Sequence, residues 1–342
     1  MNLEEAYMDL EAQLKMSPQT IPYVTLDVFT KTIFEGNPLG VVFLPSPTAI
    51  TQKQKQQIAK EFNYSETIFV HPVDSQRPTA QRIDIFTTTD ELPFAGHPTI
   101  GAASWVLFLS DDNVSKVNTI LTKAGPIPIS LKPTKSDEAS ALIPHNVRIH
   151  QKRFPFRELL RLHPSVEPFL NAAETESGKG FPIVSIVNGM TQIHVELPSL
   201  EALAAVGPAV GGESVPVTDI TQGGYLDEGW GGHGHVVVYF YVRNVVDEVT
   251  GKKVIRTRMF LESEEDPATG SAASGLASYL VLSDAGAAGQ LQHDFHVVQG
   301  VEIGRRSDIG LRVVLKEKGE GIESVELSGS SVKVAKGEIR VN

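Results

Sequence analysis

Two segments of the chain resemble each other at a constant spacing of 174 residues. The first is RIDIFTTTDELPFAGHPTIGAASW (82–105), and the second is RTRMFLESEEDPATGSAASGLASY (256–279). Without gaps, Gly96 aligns with Gly270, and each segment ends in a Gly-centred turn that opens an Ala-rich helix. Solenoid repeats have periods of roughly 20–50 residues, so a period this long predicts two similar domains instead.

The size of the chain agrees with this count, because 342 residues suit two domains of ordinary length. We predict an N-terminal extension over residues 1–20 that forms a short amphipathic helix. A first domain then covers 21–125, and a strand at about 331–342 is a candidate to complete it. The second domain covers 126–330 and carries a Gly-rich insertion at 207–235, which is the best candidate for a mobile loop.

Alternating apolar and polar residues predict strands in both halves, and small-residue stretches predict one central helix in each. In the first half we expect a hairpin with its turn at Gly36-Asn37-Pro38, a helix at 50–62 and one bent strand at 119–131. The central helices are expected at 97–109 and 271–282. Many strands around one helix in each half predict an α+β fold with mostly antiparallel sheets.

The composition excludes several classes of function. The 30 Lys and Arg residues and 41 Asp and Glu residues give a net charge of −11. With no basic run, this balance argues against nucleic acid or an anionic membrane as a partner. The chain has neither a segment of about 20 apolar residues that could span a bilayer nor a signal peptide at its N-terminus. We therefore expect a cytoplasmic protein.

The chain contains no cysteine. This absence removes disulfides, thiolate metal sites and thiol acids or nucleophiles from consideration. Any proton chemistry must therefore use carboxylates, imidazoles or hydroxyls.

The two repeated turns are the strongest candidate for a binding site. GHPTIGAA (96–103) and DPATGSAA (266–273) each predict a helix N-terminus that presents unpaired N–H groups and a partial positive charge. One such turn alone is more often a simple cap. Two of them, related by a repeat and facing one cleft, favour a shared site for an anionic substrate.

Three residues near these turns are candidates for proton transfer. His97 lies where the helix dipole disfavours protonation of its ring, so a neutral imidazole could move a proton near pH 7. Asp266 opens the second turn, and read alone it would be an N-cap. Glu66 begins the apolar strand ETIFV, so burial is expected to raise the pKa of its carboxyl group.

The sequence contains no comparable pattern for a metal site or for the motifs of other enzyme classes. His233 and His235 lack partners at the spacing of metal ligands, so no metal site is predicted. The sequence contains no GxGxxG, P-loop, GxSxG or HExxH motif.

Taken together, the motifs resemble one family, the phenazine-biosynthesis isomerase-like proteins, which share the two-domain fold of diaminopimelate epimerase. The motifs occur in the family's order: DVFT (27–30), GNPLGVV (36–42), SETIFV (65–70), FTTTDELPFAGHPTIGAA (86–103), RTRMF (256–260), EDPATGSAA (265–273) and QGVEIGRRSDI (299–309). The resemblance covers residues 22–342, apart from the Gly-rich insertion.

The resemblance implies two pseudo-symmetric domains, each a barrel-like sheet around a central helix, with the active site between them. It also implies an isomerase that needs no cofactor and transfers protons, and it suggests a homodimer. The family's catalytic residues fall on Glu66, His97 and Asp266. Its substrate-binding groups fall on the following residues: Asn37, Ser65, Gly96, Gly270 and Ser271.

The leading hypothesis is therefore an isomerase that binds a small carboxylate and moves a proton between two carbon atoms. Related racemases use a pair of cysteines, which this chain lacks. Two alternatives stay open at this point. One is a cysteine-free racemase or epimerase of an amino or hydroxy acid, and the other is a non-catalytic protein that binds small acids.

Overall fold

The computed structural model of the protein describes residues 19–110, 116–133, 135–170, 180–283, 290–317 and 321–341. The helix predicted within residues 1–20 therefore lies outside the described part. In the described ranges, no helix is both long and apolar enough to cross a membrane.

The strands fall into two series along the chain. The first series consists of β1 (Gln19–Val28), β2 (Asn37–Phe43), β3 (Glu66–Val70), β4 (Ala80–Phe86), β5 (Glu91–Leu92), β6 (Thr119–Thr122), β7 (Gly125–Lys132) and β8 (Lys135–Leu142). The second series consists of β9 (Arg148–Ile149), β10 (Ile183–Val187), β11 (Met190–Glu196), β12 (His235–Val246), β13 (Lys253–Leu261), β14 (Glu264–Glu265), β15 (Gln292–Gln299), β16 (Ser307–Leu315), β17 (Ile322–Gly329) and β18 (Ser331–Val341).

The pairing of these strands follows the same order in the two halves. Hydrogen-bonded neighbours run β18–β1–β2–β3–β4–β6–β7–β8 in the first half. Strand β8 also pairs with β17, and the order continues β17–β16–β15–β13–β12–β11–β10–β9. Most pairs are antiparallel. The parallel pairs β2–β3 and β4–β6 occupy places in the first half that correspond to those of β11–β12 and β13–β15 in the second.

Two helices that are rich in small residues lie at the centre. Helix α2 (Gly96–Ser104) follows β5, and helix α5 (Gly270–Ser283) follows β14. The largest buried apolar cluster contains residues from both helices, including the fully buried Ile100 and Leu276. Burying one such side chain stabilises the fold by about 1.5–3 kcal/mol. A single apolar core therefore holds the beginnings of both helices in place.

The remaining helices cover the outer faces of the sheet. Helix α1 (Gln52–Phe62) begins at the capping residue Thr51 and packs its Ile58 on the outer side of the first half. Helices α3 (Phe156–Leu162) and α4 (Leu200–Ala204) pack in a separate cluster on the second half. These helices complete a mixed α/β fold with a large, mostly antiparallel sheet.

Three local predictions need correction. The bent strand predicted at 119–131 is two antiparallel strands, β6 and β7, because the chain reverses between Thr122 and Gly125, which pair with each other, and the φ of Gly125 is +118°. The turn predicted at Gly36-Asn37-Pro38 ends at Gly36, because Asn37 already pairs with Val28 in the sheet. The helix predicted at 97–109 is helical over that whole range, but only its part up to Ser104 is α-helical, and Trp105–Leu109 form one wider π-helical turn.

The Gly-rich insertion (207–235) is anchored to the second half by buried side chains. Leu226 and Asp227 are only 1% and 4% exposed. The backbone N–H of Asp227 donates to Nδ1 of His150 at 2.9 Å, and the Trp230 ring packs edge-on against His150. The last residue of the insertion, His235, begins strand β12.

Candidate active site

The N-termini of α2 and α5 meet at two glycines. A Cβ atom added at Gly96 would lie 3.3 Å from the Cα atom of Gly270, and one added at Gly270 would lie 3.4 Å from the Cα atom of Gly96. No side chain caps the start of α2, since the residue before it is Ala95. Two helix ends at this separation concentrate N–H groups and partial positive charge at one point, so they form a favourable place for a carboxylate.

Glu66 and His97 form a hydrogen-bonded pair at the start of α2. Nδ1 of His97 lies 3.0 Å from Oε2 of Glu66. The His97 side chain is 3% exposed and that of Glu66 is 18% exposed. The other ring nitrogen of His97, Nε2, is buried and has no hydrogen-bond partner among the described residues.

Asp266 is held in place by groups from both halves of the chain. Asn37 donates from Nδ2 to Oδ1 of Asp266 at 2.8 Å and to the carbonyl oxygen of Ala268 at 3.0 Å. The Thr269 hydroxyl donates to Oδ2 of Asp266 at 2.7 Å. These bonds fix the orientation of the carboxyl group relative to the start of α5.

The expected increase in the pKa of Glu66 is wrong. Burial does act to raise the pKa, but the hydrogen bond and the charge of His97 lower it, with further lowering by Ser65 and His235, so the pKa lies below the ordinary value of 4.5. Glu66 is therefore ionised at neutral pH. Because an ionised carboxylate can only accept hydrogen bonds, Nδ1 of His97 carries the proton between them.

The pKa of Asp266 changes in the opposite direction. Burial raises it, and the nearby charge of Glu66 raises it further, whereas the Thr269 hydrogen bond and the charge of His97 lower it. The balance raises the pKa of Asp266 from 3.8 to about 6. Near neutral pH, the site therefore combines one ionised carboxylate with a second carboxyl group that exchanges its proton readily.

Six of the eight predicted site residues line one cavity of about 120 Å³: Glu66, Gly96, His97, Asp266, Gly270 and Ser271. The other two, Asn37 and Ser65, are not among the residues that line this cavity. Asn37 is bonded to Asp266, as described above, and the Ser65 hydroxyl lies 3.4 Å from Oδ1 of Asn37. Direct contact of Asn37 and Ser65 with a substrate stays a prediction.

Sequence reasoning missed a group of residues that supports Asp266. Gln299 donates from Nε2 to the Asp266 carbonyl oxygen at 2.8 Å and to the Thr269 hydroxyl at 2.9 Å. The Tyr239 hydroxyl in turn donates to Oε1 of Gln299 at 3.0 Å. Gln299 opens the motif QGVEIGRRSDI (299–309), and this position in the motif was the signal that could have identified it.

The wall of the cavity that faces α5 was also missed. It contains Gln192 from β11 and His235 from β12. Neither belongs to the repeated turns, so the repeat did not point to them. Among the described residues, no group of three or more His, Asp and Glu side chains is placed to hold a metal ion.

Comparison with known proteins points to one family. The family model described as "Phenazine biosynthesis-like protein" matches residues 26–337. The chain is 30% identical to an uncharacterized isomerase of Mesorhizobium japonicum over 94% of this chain and 99% of that protein. It is also 30% identical to the trans-2,3-dihydro-3-hydroxyanthranilate isomerase of Pseudomonas aeruginosa, over 92% and 98% of the two chains.

A solved structure shows the same fold. The crystal structure of a phenazine biosynthesis protein from Bacillus anthracis superimposes with a TM-score of 0.71 at 20% identity, over 94% of this chain and 100% of that one. The chain is therefore a member of the phenazine biosynthesis-like family of isomerases, as its motifs predict.

Proposed function

We propose that this protein is an isomerase that moves a proton between two carbon atoms of a small carboxylic acid without a cofactor. The observation that carries the proposal is the meeting of an ionised Glu66, its partner His97 and the more basic Asp266 in one cavity at two helix N-termini. Such a site combines proton-transfer groups with stabilisation of negative charge.

We also propose that the cavity is a cleft between two pseudo-symmetric, barrel-like domains, residues 21–125 with 331–342 and residues 126–330. The common order of strand pairing in the two halves supports two similar domains, although it groups β7 and β8 with the first half, beyond the proposed boundary at residue 125. Strand β18 pairs with β1 along its whole length, which supports the completion of the first domain by the C-terminal strand. Strands β7 and β8 connect the halves, because they pair with β6 on one side and β17 on the other.

In the proposed reaction, the substrate carboxylate binds at the N-termini of α2 and α5, near Gly96, Gly270 and Ser271. The Glu66 carboxylate takes a proton from a carbon atom, and the electrons of that C–H bond move into the conjugated system towards the substrate carboxylate. Glu66 then returns a proton to a different carbon atom, and exchange of the proton on Glu66 with solvent before this step is what a deuterium label detects. Atoms and charge balance, because substrate and product are isomers and Glu66 returns to its ionised state.

His97 and Asp266 have supporting roles in this scheme. His97 orients the Glu66 carboxylate through their 3.0 Å hydrogen bond. Asp266 gives the site a second group that can hold or release a proton near neutral pH. General acid–base assistance of this kind contributes about 10²- to 10⁴-fold to a reaction rate.

Racemisation or epimerisation is a second candidate, and one observation favours it. A two-base mechanism needs one base ionised and the other protonated, and the pKa values of Glu66 and Asp266 are displaced in opposite directions. Chiral analysis of the product separates the two reactions, because an epimerase inverts a stereocentre and the proposed isomerase relocates a double bond.

The test is deuterium exchange from D₂O into a panel of small carboxylic acids and cell-extract metabolites, followed by mass spectrometry. We expect wild-type protein to label at least one compound and Glu66→Gln to lose about 10²- to 10⁴-fold in labelling rate. The matched control is Glu158→Gln, which removes an exposed carboxylate paired with Arg161. A folded Glu66→Gln protein with wild-type labelling rates would refute the mechanism, and labelling that is absent from the wild type would favour a protein that only binds acids.

A cytoplasmic location and a homodimer stay predictions from the sequence and its family resemblance. Light scattering of the purified protein would test the dimer directly, because the mass of one chain is 37.1 kDa.

A further inference from the structure

Within the described part of the chain, two side chains bond to the carboxyl group of Asp266, and they differ in what they can do. Asn37 contributes an amide N–H to Oδ1, and an N–H group can only donate. Thr269 contributes a hydroxyl group 2.7 Å from Oδ2, and a hydroxyl group can either donate or accept. The direction of the Thr269 hydrogen bond therefore affects which protonation state of Asp266 is favoured.

Gln299 contacts both ends of the loop that carries Asp266 and Thr269. It is fully buried at the end of β15. Its Nε2 atom lies 2.8 Å from the carbonyl oxygen of Asp266 and 2.9 Å from the hydroxyl oxygen of Thr269. Its Oε1 atom lies 3.3 Å from the backbone nitrogen of Thr269. One side-chain amide thus spans the loop.

The chemistry of these neighbours fixes the orientation of the Gln299 amide. The nitrogen and oxygen ends of an amide have nearly the same shape, but a backbone carbonyl only accepts and a backbone N–H only donates. The amide nitrogen therefore lies beside the Asp266 carbonyl, and the amide oxygen lies beside the Thr269 N–H group. The Tyr239 hydroxyl donates to the same Oε1 atom at 3.0 Å, and burial raises the pKa of Tyr239, so this group keeps its proton.

This orientation sets the role of the Thr269 hydroxyl. Of the two hydrogens on Nε2 of Gln299, one is donated to the carbonyl oxygen of Asp266 and the other to the hydroxyl oxygen of Thr269. Because that oxygen already accepts a hydrogen bond, the proton of the hydroxyl is directed to Oδ2 of Asp266. The hydrogen bonds run in one direction, from Gln299 through Thr269 to Asp266.

A donor at each oxygen favours the ionised form of Asp266. A protonated carboxyl group would have to donate to an acceptor, whereas Asn37 supplies only an N–H group and the Thr269 oxygen is occupied by Gln299. These bonds oppose burial and the charge of Glu66, which raise the pKa of Asp266. The opposition holds that pKa at about 6.

We propose that Gln299 is a positioning residue that commits the Thr269 hydroxyl to Asp266 and so keeps this carboxyl group able to release its proton. Gln299 is not among the residues that line the cavity, so its effect is transmitted through Thr269. The inference rests on the proposed function to the extent that Asp266 holds and releases a proton during the reaction.

The experiment titrates the Asp266 carboxyl group by NMR of protein with isotopically labelled aspartate carboxyl groups. The signal is assigned by its loss in Asp266→Asn. Gln299→Met keeps the length of the side chain but removes its donor, so the Thr269 oxygen becomes free to accept from a protonated Asp266. We expect the titration midpoint to rise by about one pH unit from the wild-type value, which is the equivalent of one ordinary hydrogen bond.

Two control variants separate this effect from general loosening of the loop. Tyr239→Phe removes a hydrogen bond from Oε1 of the same amide but leaves both donors on Nε2. It should lower the free energy of unfolding and leave the Asp266 midpoint unchanged. In a Thr269→Val background, Gln299→Met should add nothing to the midpoint, because two residues that act through one hydroxyl are not additive.

The charges around Asp266 stay the same in all of these variants. The titratable groups that face it are Glu66 on β3, His97 at the start of α2, and His235 and Tyr239 on β12. The substitutions at Gln299 and Thr269 replace uncharged side chains, and Tyr239 is uncharged at neutral pH. A changed midpoint therefore reports hydrogen bonding.

An unchanged Asp266 midpoint in folded Gln299→Met, or an equal rise in Tyr239→Phe, overturns the role of Gln299. If Gln299→Met does not fold, neutron diffraction from wild-type crystals above pH 6 locates the deuteron of the Thr269 hydroxyl. We expect it on the line to Oδ2 of Asp266, and a deuteron that points to Gln299 overturns the inference. These measurements need no turnover, so deuterium exchange into the metabolite panel decides the proposed function separately.

Discussion

Replacement of Asp266 by asparagine removes a carboxyl group that the fold disfavours in its ionised form. Burial and the charge of Glu66 raise the pKa of Asp266 from 3.8 to about 6. In the unfolded chain, the same group ionises near its ordinary value. The difference between the two values corresponds to about 2–3 kcal/mol of destabilisation when the folded protein carries an ionised Asp266.

The direction of the pH effect follows from proton uptake. Between about pH 4 and pH 6, folded Asp266 retains a proton that the unfolded chain has already released, so the free energy of unfolding of the wild type falls as pH rises. Below pH 4 the destabilisation by ionised Asp266 is absent, and above pH 6 it is fully present. Asparagine does not titrate. Relative to the wild type, Asp266→Asn should therefore gain about 2–3 kcal/mol between pH 4 and pH 7.

A constant loss is superimposed on this gain. The amide can replace only one of the two oxygens that accept bonds from Asn37 and Thr269, so about 1 kcal/mol is lost at every pH. Urea unfolding of the wild type and of Asp266→Asn at four pH values between 4 and 7 measures the pH-dependent part of the difference in free energy of unfolding. The comparison requires that the free energy of unfolding of both proteins depend on urea concentration with the same slope.

Asp247→Asn is the matched control for this experiment. Asp247 is buried and accepts a hydrogen bond from Arg306 at 2.7 Å, and its pKa is lowered well below 3.8. Ionised Asp247 stabilises the fold at every pH above the pKa that this group has in the unfolded chain, and the stabilisation is lost only in more acidic solution. Asp247→Asn should therefore be destabilised by a nearly constant amount from pH 4 to pH 7. If the difference between Asp266→Asn and the wild type is equally flat, Asp266 ionises normally and the reasoning is wrong.

Two other substitutions test the geometry of the site. Gly96→Ala places a Cβ atom 3.3 Å from the backbone of Gly270, so it should lower the free energy of unfolding, measured in urea, by about 1–3 kcal/mol. The control is Gly207→Ala, which adds a Cβ atom with nothing within 4 Å and should leave the free energy of unfolding unchanged. Equal effects of the two substitutions would argue against close contact of the helix ends. Thr269→Val keeps the shape of the side chain but removes the 2.7 Å hydrogen bond to Asp266, so the pKa of Asp266 should rise above about 6. The pH dependence of unfolding should then move to higher pH in Thr269→Val, and an unchanged dependence would show that this bond does not control the ionisation.

Local sequence was sufficient to predict much of the organisation. The 174-residue repeat identified both helix starts, and α2 and α5 begin within one residue of the predicted positions. Turn glycines and small-residue runs act over a few residues, so these features are visible without knowledge of distant contacts. The motif order likewise identified the family. The reversal before Gly125 was missed because the Gly-Pro pair that follows it is compatible with either a bend or a hairpin.

Tertiary structure decided the ionisation of the site. Glu66 and His97 are 31 residues apart, and Asp266 lies far from both in the sequence, yet the interactions among these three residues shift the pKa values of the two carboxyl groups. Burial alone would raise both pKa values. The position of His97 lowers that of Glu66, and the resulting charge raises that of Asp266.

The sequence also did not predict which groups the buried polar side chains contact. Leu39 and Gln192 occupy equivalent places against their helices, but only the fold shows that Oε1 of Gln192 is buried there without a hydrogen-bond partner among the described residues. Electrostatic and hydrogen-bond energies depend on distances of a few ångströms between groups that are far apart in the chain. The sequence by itself therefore determined which chemical groups are available, and the fold determined which of them interact and in which protonation state.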